Sequence, residues 1–219
     1  MPQKRKDLKL EGSNLWYLVG LITSDGCLSG DGRHIDITSK ERKFLEKIIS
    51  VLGLVNKIGI KNKGKVNQAY HFQITNKSLY EFLLSIGLTP NKSLTLKSLD
   101  ISEEYFFDFL RGLIDGDGCI QRWIHPSNNR EQWSLRIYSG SEEFIEWLNK
   151  MAGDLLKVSG KVHKNAANTW VLKYGKMAAK EIVKRCYYKN CFGLDRKIKL
   201  AQDCLGSYRG WSQSKTIYN

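Results

Sequence analysis

Two nine-residue stretches, LVGLITSDG at Leu18–Gly26 and LRGLIDGDG at Leu110–Gly118, repeat one pattern within the chain. Both have Leu first, Gly third, Leu-Ile fourth and fifth and Asp-Gly last, and a Cys follows each stretch. Such coincidences at matched offsets are typical of an internal repeat. The repeat places Asp25 and Asp117 at equivalent positions.

Small residues lie four positions apart in each stretch, which is the spacing that aligns side chains along one side of a helix. The first stretch has Gly20 and Ser24, and the second has Gly112 and Gly116. Each helix would present a face almost without side chains, so two such faces can pack backbone against backbone. Because the stretches are too short to cross a bilayer and end in charge, we expect a helix pair inside a globular protein.

An acid followed by glycine ends each stretch. Gly26 and Gly118 suit the left-handed conformation that often terminates a helix, which would place Asp25 and Asp117 at helix C-termini. Two neighbouring carboxylates at the negative ends of helix dipoles repel each other unless a cation lies between them. The pattern therefore predicts a divalent metal bound by Asp25 and Asp117. The alternative, in which each Asp-Gly merely opens a turn, does not explain why the whole pattern occurs twice.

The two stretches resemble the LAGLIDADG motif of homing endonucleases, in the single-chain form with two motifs that is called a meganuclease. The second copy departs from the motif at its second and seventh residues only. The first copy differs at the same two places and also has Thr23 where the motif has its first Asp. In the family the eighth residue is the acid that binds metal, and both copies keep it. The resemblance extends from about residue 14 to residue 203.

Hydrophobic periodicity indicates the same plan after each motif helix: two strands, an amphipathic helix, two more strands and a closing helix. The predicted fold class is α+β, with two pseudo-symmetric αββαββα repeats packed through the motif helices. Together they would form a saddle of two antiparallel four-stranded sheets. The predicted organisation is a basic tail at 1–12, a first repeat at 13–92, a connection at 93–101, a second repeat at 102–205 and a tail at 206–219.

The chain is strongly basic, with 35 Lys and Arg against 22 Asp and Glu, a net charge of +13 and a pI near 9.5. This balance predicts a polyanionic partner. Since no signal peptide, lipidation motif or long apolar run is visible, we expect nucleic acid rather than a membrane, and an intracellular protein of an organellar matrix or a prokaryotic cytoplasm. Five cysteines without CxxC spacing indicate neither a zinc site nor a disulfide framework, and we expect Cys27 and Cys119 to be buried.

Alternation along the strands predicts one polar, partly basic face on each sheet. The candidate DNA-binding residues are His34, Asp36, Lys61, Lys63, Lys65, His71 and Gln73 in the first repeat and Gln121, Trp123, Gln132, Arg136, Tyr138, Lys161, His163 and Lys173 in the second. Side chains of these types can read base edges in a major groove, although a merely solvated face is the alternative. Because the two faces differ, we expect a monomer that binds double-stranded DNA at a non-palindromic site.

Two further segments align between the repeats, PNKSLTL at 90–96 and DRKIKLA at 195–201, and each follows a Gly-Leu pair. They match Lys92 with Lys197. The resemblance implies that a lysine after the last helix of each repeat reaches the active site, where it stabilises charge or activates water. It also implies that Asp25 and Asp117 share metals and cut the two strands across the minor groove with a short stagger. Mg²⁺ suits two carboxylates, and Mn²⁺ or Ca²⁺ are also able to occupy such a site.

These features predict a site-specific homing endonuclease, which is a metal-dependent hydrolase, encoded in an intron or by a free-standing gene. Two alternatives stay open. One is a maturase that binds intron RNA and assists its splicing, and the other is a DNA-binding protein of this fold without cleavage. The presence of Asp25, Asp117, Lys92 and Lys197 argues against the second alternative.

Overall fold

The computed structural model describes residues 11–62, 64, 66 and 68–207 and contains two copies of one order of elements. The first copy consists of α1 Ser13–Asp25, β1 Gly26–Leu28, β2 His34–Ser39, α2 Arg42–Val51, β3 Gly59–Lys61, β4 Ala69–Thr75 and α3 Lys77–Ser85. The second consists of α4 Phe106–Asp117, β5 Cys119–Ile124, β6 Glu131–Ser139, α5 Glu142–Leu156, β7 Lys161–Lys164, β8 Trp170–Tyr174 and α6 Lys176–Cys186, followed by α7 Asp195–Gly206. Short 3₁₀ turns at Lys92–Leu94 and Glu103–Tyr105 lie between them. The predicted αββαββα order is confirmed.

Each copy forms one antiparallel four-stranded sheet, with strand orders β1-β2-β4-β3 and β5-β6-β8-β7. In the first sheet Ile35 pairs with Ile74, and both are buried against the helices. In the second sheet Leu135 pairs with Tyr174 on the corresponding buried face. Since side chains alternate along a strand, the residues between these apolar ones form a second, polar face on each sheet. The predicted α+β class is confirmed.

Helices α1 and α4 pack against each other at the centre of the fold through their glycines. A Cβ added to Gly20 would lie 1.9 Å from the carbonyl oxygen of Phe109, and one added to Gly112 would lie 2.0 Å from that of Tyr17. The contact is therefore reciprocal and joins backbone to backbone. Most residues of both helices are buried, so these two helices form the centre of the core that both sheets share.

The prediction that Gly26 and Gly118 end the motif helices in a left-handed conformation is wrong. Both are extended, with φ of −94° and −80°. Glycine is required there for a different reason, because a Cβ on Gly26 would lie 2.6 Å from the Cα of Ile22 and one on Gly118 would lie 2.5 Å from the Cα of Ile114. The chain leaves each helix directly into a strand that passes over the last helical turn.

Neither Ser13 nor Asn14 caps α1, whose N-cap residue is a glycine that makes no side-chain hydrogen bond. The stability of this helix therefore comes from burial rather than from capping.

No helix within the described part of the chain is both long and apolar enough to cross a membrane.

Candidate active site and nucleic-acid interface

The two motif acids lie at the ends of the paired helices. Asp25 is the last residue of α1 and Asp117 is the last residue of α4, and both reach solvent while part of each carboxyl group is covered by protein. A Cβ on Gly116 would lie 2.0 Å from the Oγ of Ser24 and 3.1 Å from Oδ2 of Asp25. The small residue at this position of α4 thus allows the end of α1, with its carboxylate, to lie directly against α4.

The surrounding protein disfavours the charged form of both acids. Partial loss of water raises the pKa of Asp25 to about 6, with a further contribution from the negative charge of Asp117. Partial burial also raises the pKa of Asp117, while Lys92 and Lys197 act in the opposite direction. Two carboxylates that are held together in this way would be stabilised by a cation between them.

The two predicted lysines are buried beside these acids, with 7% of Lys92 and 4% of Lys197 exposed. The Nζ of Lys92 donates a hydrogen bond of 2.6 Å to the carbonyl oxygen of Gly26. The Nζ of Lys197 donates to the carbonyl oxygen of Gly118 and, at 3.1 Å, to that of Ile114. Each lysine therefore binds the residue that follows the acid of its own repeat. Burial lowers the pKa of both ammonium groups.

A cavity of about 80 Å³ brings residues of the two repeats together. Its lining includes Ser24 and Lys92 from the first repeat and Asp117 and Ser139 from the second. The lysine of one repeat therefore lines the same cavity as the acid of the other. A phosphate or a water molecule in this space would be close to both charges.

The donor atoms fit a hard divalent cation. In the described residues no group of three or more His, Cys, Asp or Glu side chains is placed to hold a metal. The candidate donors are accordingly the carboxylates of Asp25 and Asp117. Mg²⁺ typically binds one or two protein carboxylates and takes its other ligands from water and substrate phosphate, whereas a structural zinc site needs four protein ligands.

The polar face of the first sheet carries five of the predicted DNA-binding residues. They are His34, Asp36, Lys61, His71 and Gln73, while the predicted Lys63 and Lys65 lie outside the described residues. The Asp36 carboxylate accepts a 2.6 Å hydrogen bond from Lys61 and lies 3.0 Å from Nδ1 of His71. His34 is similarly paired with Asp31. The basic side chains described on this face, Lys61, His71 and His34, therefore already have carboxylate partners within the protein.

The polar face of the second sheet carries all eight of its predicted residues. These are Gln121, Trp123, Gln132, Arg136, Tyr138, Lys161, His163 and Lys173. Arg136 pairs with Lys173, which pairs with Lys161, so three cations form a row across three strands. Arg136, Tyr138, His163 and Lys173 also line a depression of about 240 Å³. The buried Nε of Arg136 has no hydrogen-bond partner among the described residues.

The prediction that Cys27 is buried is wrong, because this residue is exposed, and Cys119 is only partly buried. Strand β1 begins immediately after α1, and its alternation turns Gly26 and Leu28 inward. Cys27 consequently pairs with Asp36 on the polar face. The thiol therefore belongs to the candidate DNA-binding surface rather than to the core.

Sequence reasoning assigned no function to Asp115, the sixth residue of the second motif. Its carboxylate is buried and accepts hydrogen bonds of 2.7 Å from the hydroxyls of Tyr17 and Tyr187 and from the backbone N–H of Leu194. Burial raises the pKa of this carboxyl, while its three donors act in the opposite direction. The one available signal was an acid in an otherwise apolar stretch, at a position where the first motif has Thr23.

Comparisons with known proteins agree with this geometry. The chain matches the model of the LAGLIDADG-like domain over residues 13–87 and 104–187, and it belongs to that family. The homing endonuclease I-WcaI, solved bound to its DNA recognition sequence, is similar in structure with a TM-score of 0.60 and 14% identity, over 86% of this chain and 87% of that chain. The homing endonuclease I-DmoI, solved with DNA and Ca, is similar with a TM-score of 0.53 and 18% identity, over 81% of this chain and 91% of that chain. The fold is thus shared with single-chain homing endonucleases.

A relative in Methanocaldococcus jannaschii, described as uncharacterized protein MJ1054, is 31% identical over 150 residues. The match covers 64% of this chain and 16% of that protein. The chain therefore spans about one sixth of the length of this relative.

Proposed function

We propose that this protein is a site-specific DNA endonuclease that hydrolyses both strands of a long, non-palindromic target with a staggered cut. The observation that carries the proposal is the arrangement of Asp25 and Asp117 at the ends of two reciprocally packed helices, beside the buried ammonium groups of Lys92 and Lys197. Two anionic metal ligands and two cations in one place are what hydrolysis of a phosphodiester requires.

Asp25 and Asp117 would hold the divalent metal, for which we propose Mg²⁺. When bound, the metal supplies Lewis-acid stabilisation of the phosphate and lowers the pKa of a coordinated water. Partial burial and, to a smaller extent, the charge of Asp117 raise the pKa of Asp25; this supports the assignment, since a bound cation would offset both effects. A structure of I-DmoI with DNA and Ca, on the same fold, supports a divalent cation in this class of site.

Lys92 and Lys197 would stabilise the charge that develops on the two scissile phosphates. Lys92 donates one of its three N–H groups to Gly26, which leaves two for phosphate or water in the cavity that it lines with Asp117. Because the ammonium groups are fixed before substrate arrives, they need no reorganisation during the reaction. Their low exposure also strengthens their interaction with a bound phosphate.

The polar faces of the two sheets would bind the duplex, with the second face contributing more unpaired positive charge. The row formed by Arg136, Lys173 and Lys161 is suited to phosphate contact or to guanine recognition in the major groove. In the first sheet, the carboxylate of Asp36 neutralises the charge of Lys61. The polar face of this sheet would therefore contribute more to base recognition than to neutralising phosphates. A monomer with two different faces would read a non-palindromic target, unlike a homodimer, whose two identical faces would read a palindromic one.

The proposal is tested by selecting cleaved sites from a random duplex library in Mg²⁺, with a sample in EDTA as the control. We expect one enriched, asymmetric site that is cut on both strands by the parent protein and on neither strand by Asp25→Asn or Asp117→Asn. Selective binding without cleavage would indicate a DNA-binding protein of this fold. Selective binding and splicing of an intron RNA, without DNA cleavage, would indicate a maturase.

A further inference from the structure

The two buried lysines lie on segments that the rest of the protein holds in different ways. Lys197 is in the first turn of α7, and Lys92 is in the 3₁₀ turn Lys92–Leu94. The motif position that precedes each acid by two residues is also different, since it is Asp115 in one repeat and Thr23 in the other. The two halves of the candidate active site therefore carry the same charged groups, but the protein holds the two lysines in place by different contacts.

The carboxylate of Asp115 fixes the start of α7. Leu194 is the N-cap residue of this helix and offers no side-chain cap, but its backbone N–H donates a 2.7 Å hydrogen bond to Asp115. A carboxylate in this position is favoured by the dipole of α7. A Cβ on Gly193 would lie 2.9 Å from Oδ2 of Asp115, so glycine is needed for the close approach. Tyr17 and Tyr187 complete the hydrogen bonding and hold the carboxylate from α1 and from the residue after α6.

This contact determines where the Lys197 side chain begins. The backbone N–H of Lys197 donates a 2.8 Å hydrogen bond to the carbonyl oxygen of Leu194, the residue that Asp115 holds. Its Nζ then binds the carbonyl oxygens of Ile114 and Gly118 at the end of α4. The segment is thus attached to one helical turn at both of its ends, through the carboxylate at 115 and through the ammonium group.

Two other ion pairs reach the same helix from the first repeat. Lys47 lies 2.7 Å from Asp195, and Arg196 lies 2.7 Å from Glu41. All four side chains are substantially exposed, and exposed pairs of this kind contribute little to the placement of an element. The buried contacts come from α4: the Asp115 carboxylate with its three donors, and Arg111, whose Nε donates a 2.8 Å hydrogen bond to the carbonyl oxygen of Phe192 just before this helix.

The segment that carries Lys92 has no such carboxylate. Thr23 donates its hydroxyl to a carbonyl of its own helix at 2.8 Å. Instead, Ser141 of the second repeat donates a 2.5 Å hydrogen bond to the carbonyl oxygen of Leu96. Because Gly140 has no side chain, the carbonyl oxygen of Ser93 can approach it closely and would lie 2.4 Å from an added Cβ. The β6–α5 turn therefore supports this segment from the opposite repeat.

We propose that Asp115 is a positioning residue for Lys197 alone, and that Ser141 is the corresponding positioning residue for Lys92. This inference rests on the proposed function, because it assigns each lysine to the cleavage of one DNA strand. Loss of Asp115 should then slow the cutting of one strand, and nicked DNA should accumulate. Loss of Ser141 should slow the cutting of the other strand.

The test uses the selected target with a different label on each strand, in Mg²⁺, and measures single-turnover rates for both strands. Asp115→Asn keeps the shape of the side chain but replaces an acceptor oxygen with an NH₂ group. We expect it to slow one strand by about tenfold or more relative to the other, since a misplaced group of this kind loses much of its catalytic effect. Lys197→Ala should slow the same strand, whereas Ser141→Ala and Lys92→Ala should slow the opposite one.

Equal slowing of both strands by Asp115→Asn, or a strand preference that matches Lys92→Ala, would overturn the inference. A parent protein that cuts neither strand would contradict the proposed function instead. In that case amide hydrogen exchange still tests the attachment, because Asp115→Asn should expose the first-turn amides of α7 and leave those of α1 protected. Loss of protection at both helices, or at neither, would overturn it.

A milder variant covers the case in which Asp115→Asn does not fold. Gly193→Ala retains the carboxylate but places a Cβ 2.9 Å from it, so it should shift the strand ratio in the same direction as Lys197→Ala. A folded Gly193→Ala protein with the strand ratio of the parent would also overturn the inference.

Discussion

Replacing Gly20 or Gly112 with alanine should destabilise the protein, although alanine is the better helix former. The gain in helix propensity is about 0.8–1.0 kcal/mol. Against it, the new Cβ would lie 1.9 Å from the Phe109 carbonyl oxygen in the first case and 2.0 Å from the Tyr17 carbonyl oxygen in the second. Neither oxygen can rotate away, because each belongs to the backbone of the facing helix.

The magnitude follows from the distance that the helices would have to move. Side-chain carbons essentially never approach another heavy atom within 3.0 Å, so the helices must separate locally by roughly 1 Å. Such a gap forfeits about a quarter to a half of the dispersion energy of the contacts at the interface, and overpacking of this kind costs roughly 3 kcal/mol or more. The net loss is therefore about 2 kcal/mol, which lowers the Tm of a chain of this size by about 4–8 °C.

Thermal unfolding followed by circular dichroism measures this loss, with Gly206→Ala as the matched control. Gly206 is also helical, in α7, but an added Cβ there meets nothing within 4 Å. The control should keep or raise the Tm. If Gly20→Ala and Gly112→Ala also leave the Tm unchanged, the helices do not pack as described and the two acids are not brought together by this interface.

Three further predictions concern the site. Asp25→Asn and Asp117→Asn should abolish cleavage but keep or improve DNA binding in a gel-shift assay, because each acid binds metal and repels phosphate; parental cleavage by either variant would contradict the assignment. Since the pKa of Asp25 is raised from 3.8 to about 6, the folded protein binds protons more tightly than the unfolded chain, and stability without metal should fall as pH rises from about 4 to 6. Asp25→Asn should reduce that fall, and the raised pKa values of Asp117 and Asp115 should account for what remains; a parental stability profile in this variant would contradict the cause. Arg136→Ala should relax base preference at one position of one half-site by about 1–3 kcal/mol in a profile of single-base variants, whereas a uniform loss at all positions would make Arg136 a phosphate contact.

The sequence predicted the helix pair because the signal is local. Small residues at matched offsets can be read directly from the motif. An amphipathic helix with acids in its first turn can likewise be read from the segment that forms it. The predicted order of two strands, a helix and two more strands after each motif helix agrees with the structure, because hydrophobic periodicity is also a local signal. Gly26 was misread because its conformation depends on where the chain goes after the helix, which no local pattern records.

The candidate site was only partly accessible from sequence. Repeat alignment singled out Lys92 and Lys197, but their burial could not be predicted, since lysine is rarely buried unless partners are present. Those partners are backbone carbonyls at the ends of the motif helices, and backbone groups have no sequence signature. Asp115 was missed for a different reason, because its side-chain partners Tyr17 and Tyr187 are distant along the chain.

The placement of the lysines links the stability of the fold to the electrostatics of the site. The last carbonyls of a helix lack partners within it and carry a partial negative charge. Here Asp25 and Asp117 lie at the same helix ends. Two helix C-termini and two carboxylates therefore contribute negative potential in one place, and the helices themselves contribute no strong positive charge there. Lys92 and Lys197 bind carbonyl oxygens at or just beyond these helix ends and offset the carboxylates at once, which explains why both remain buried despite the cost of desolvation. A phosphate that approaches the acids therefore meets positive charge already fixed in place by the ends of the helices that present those acids.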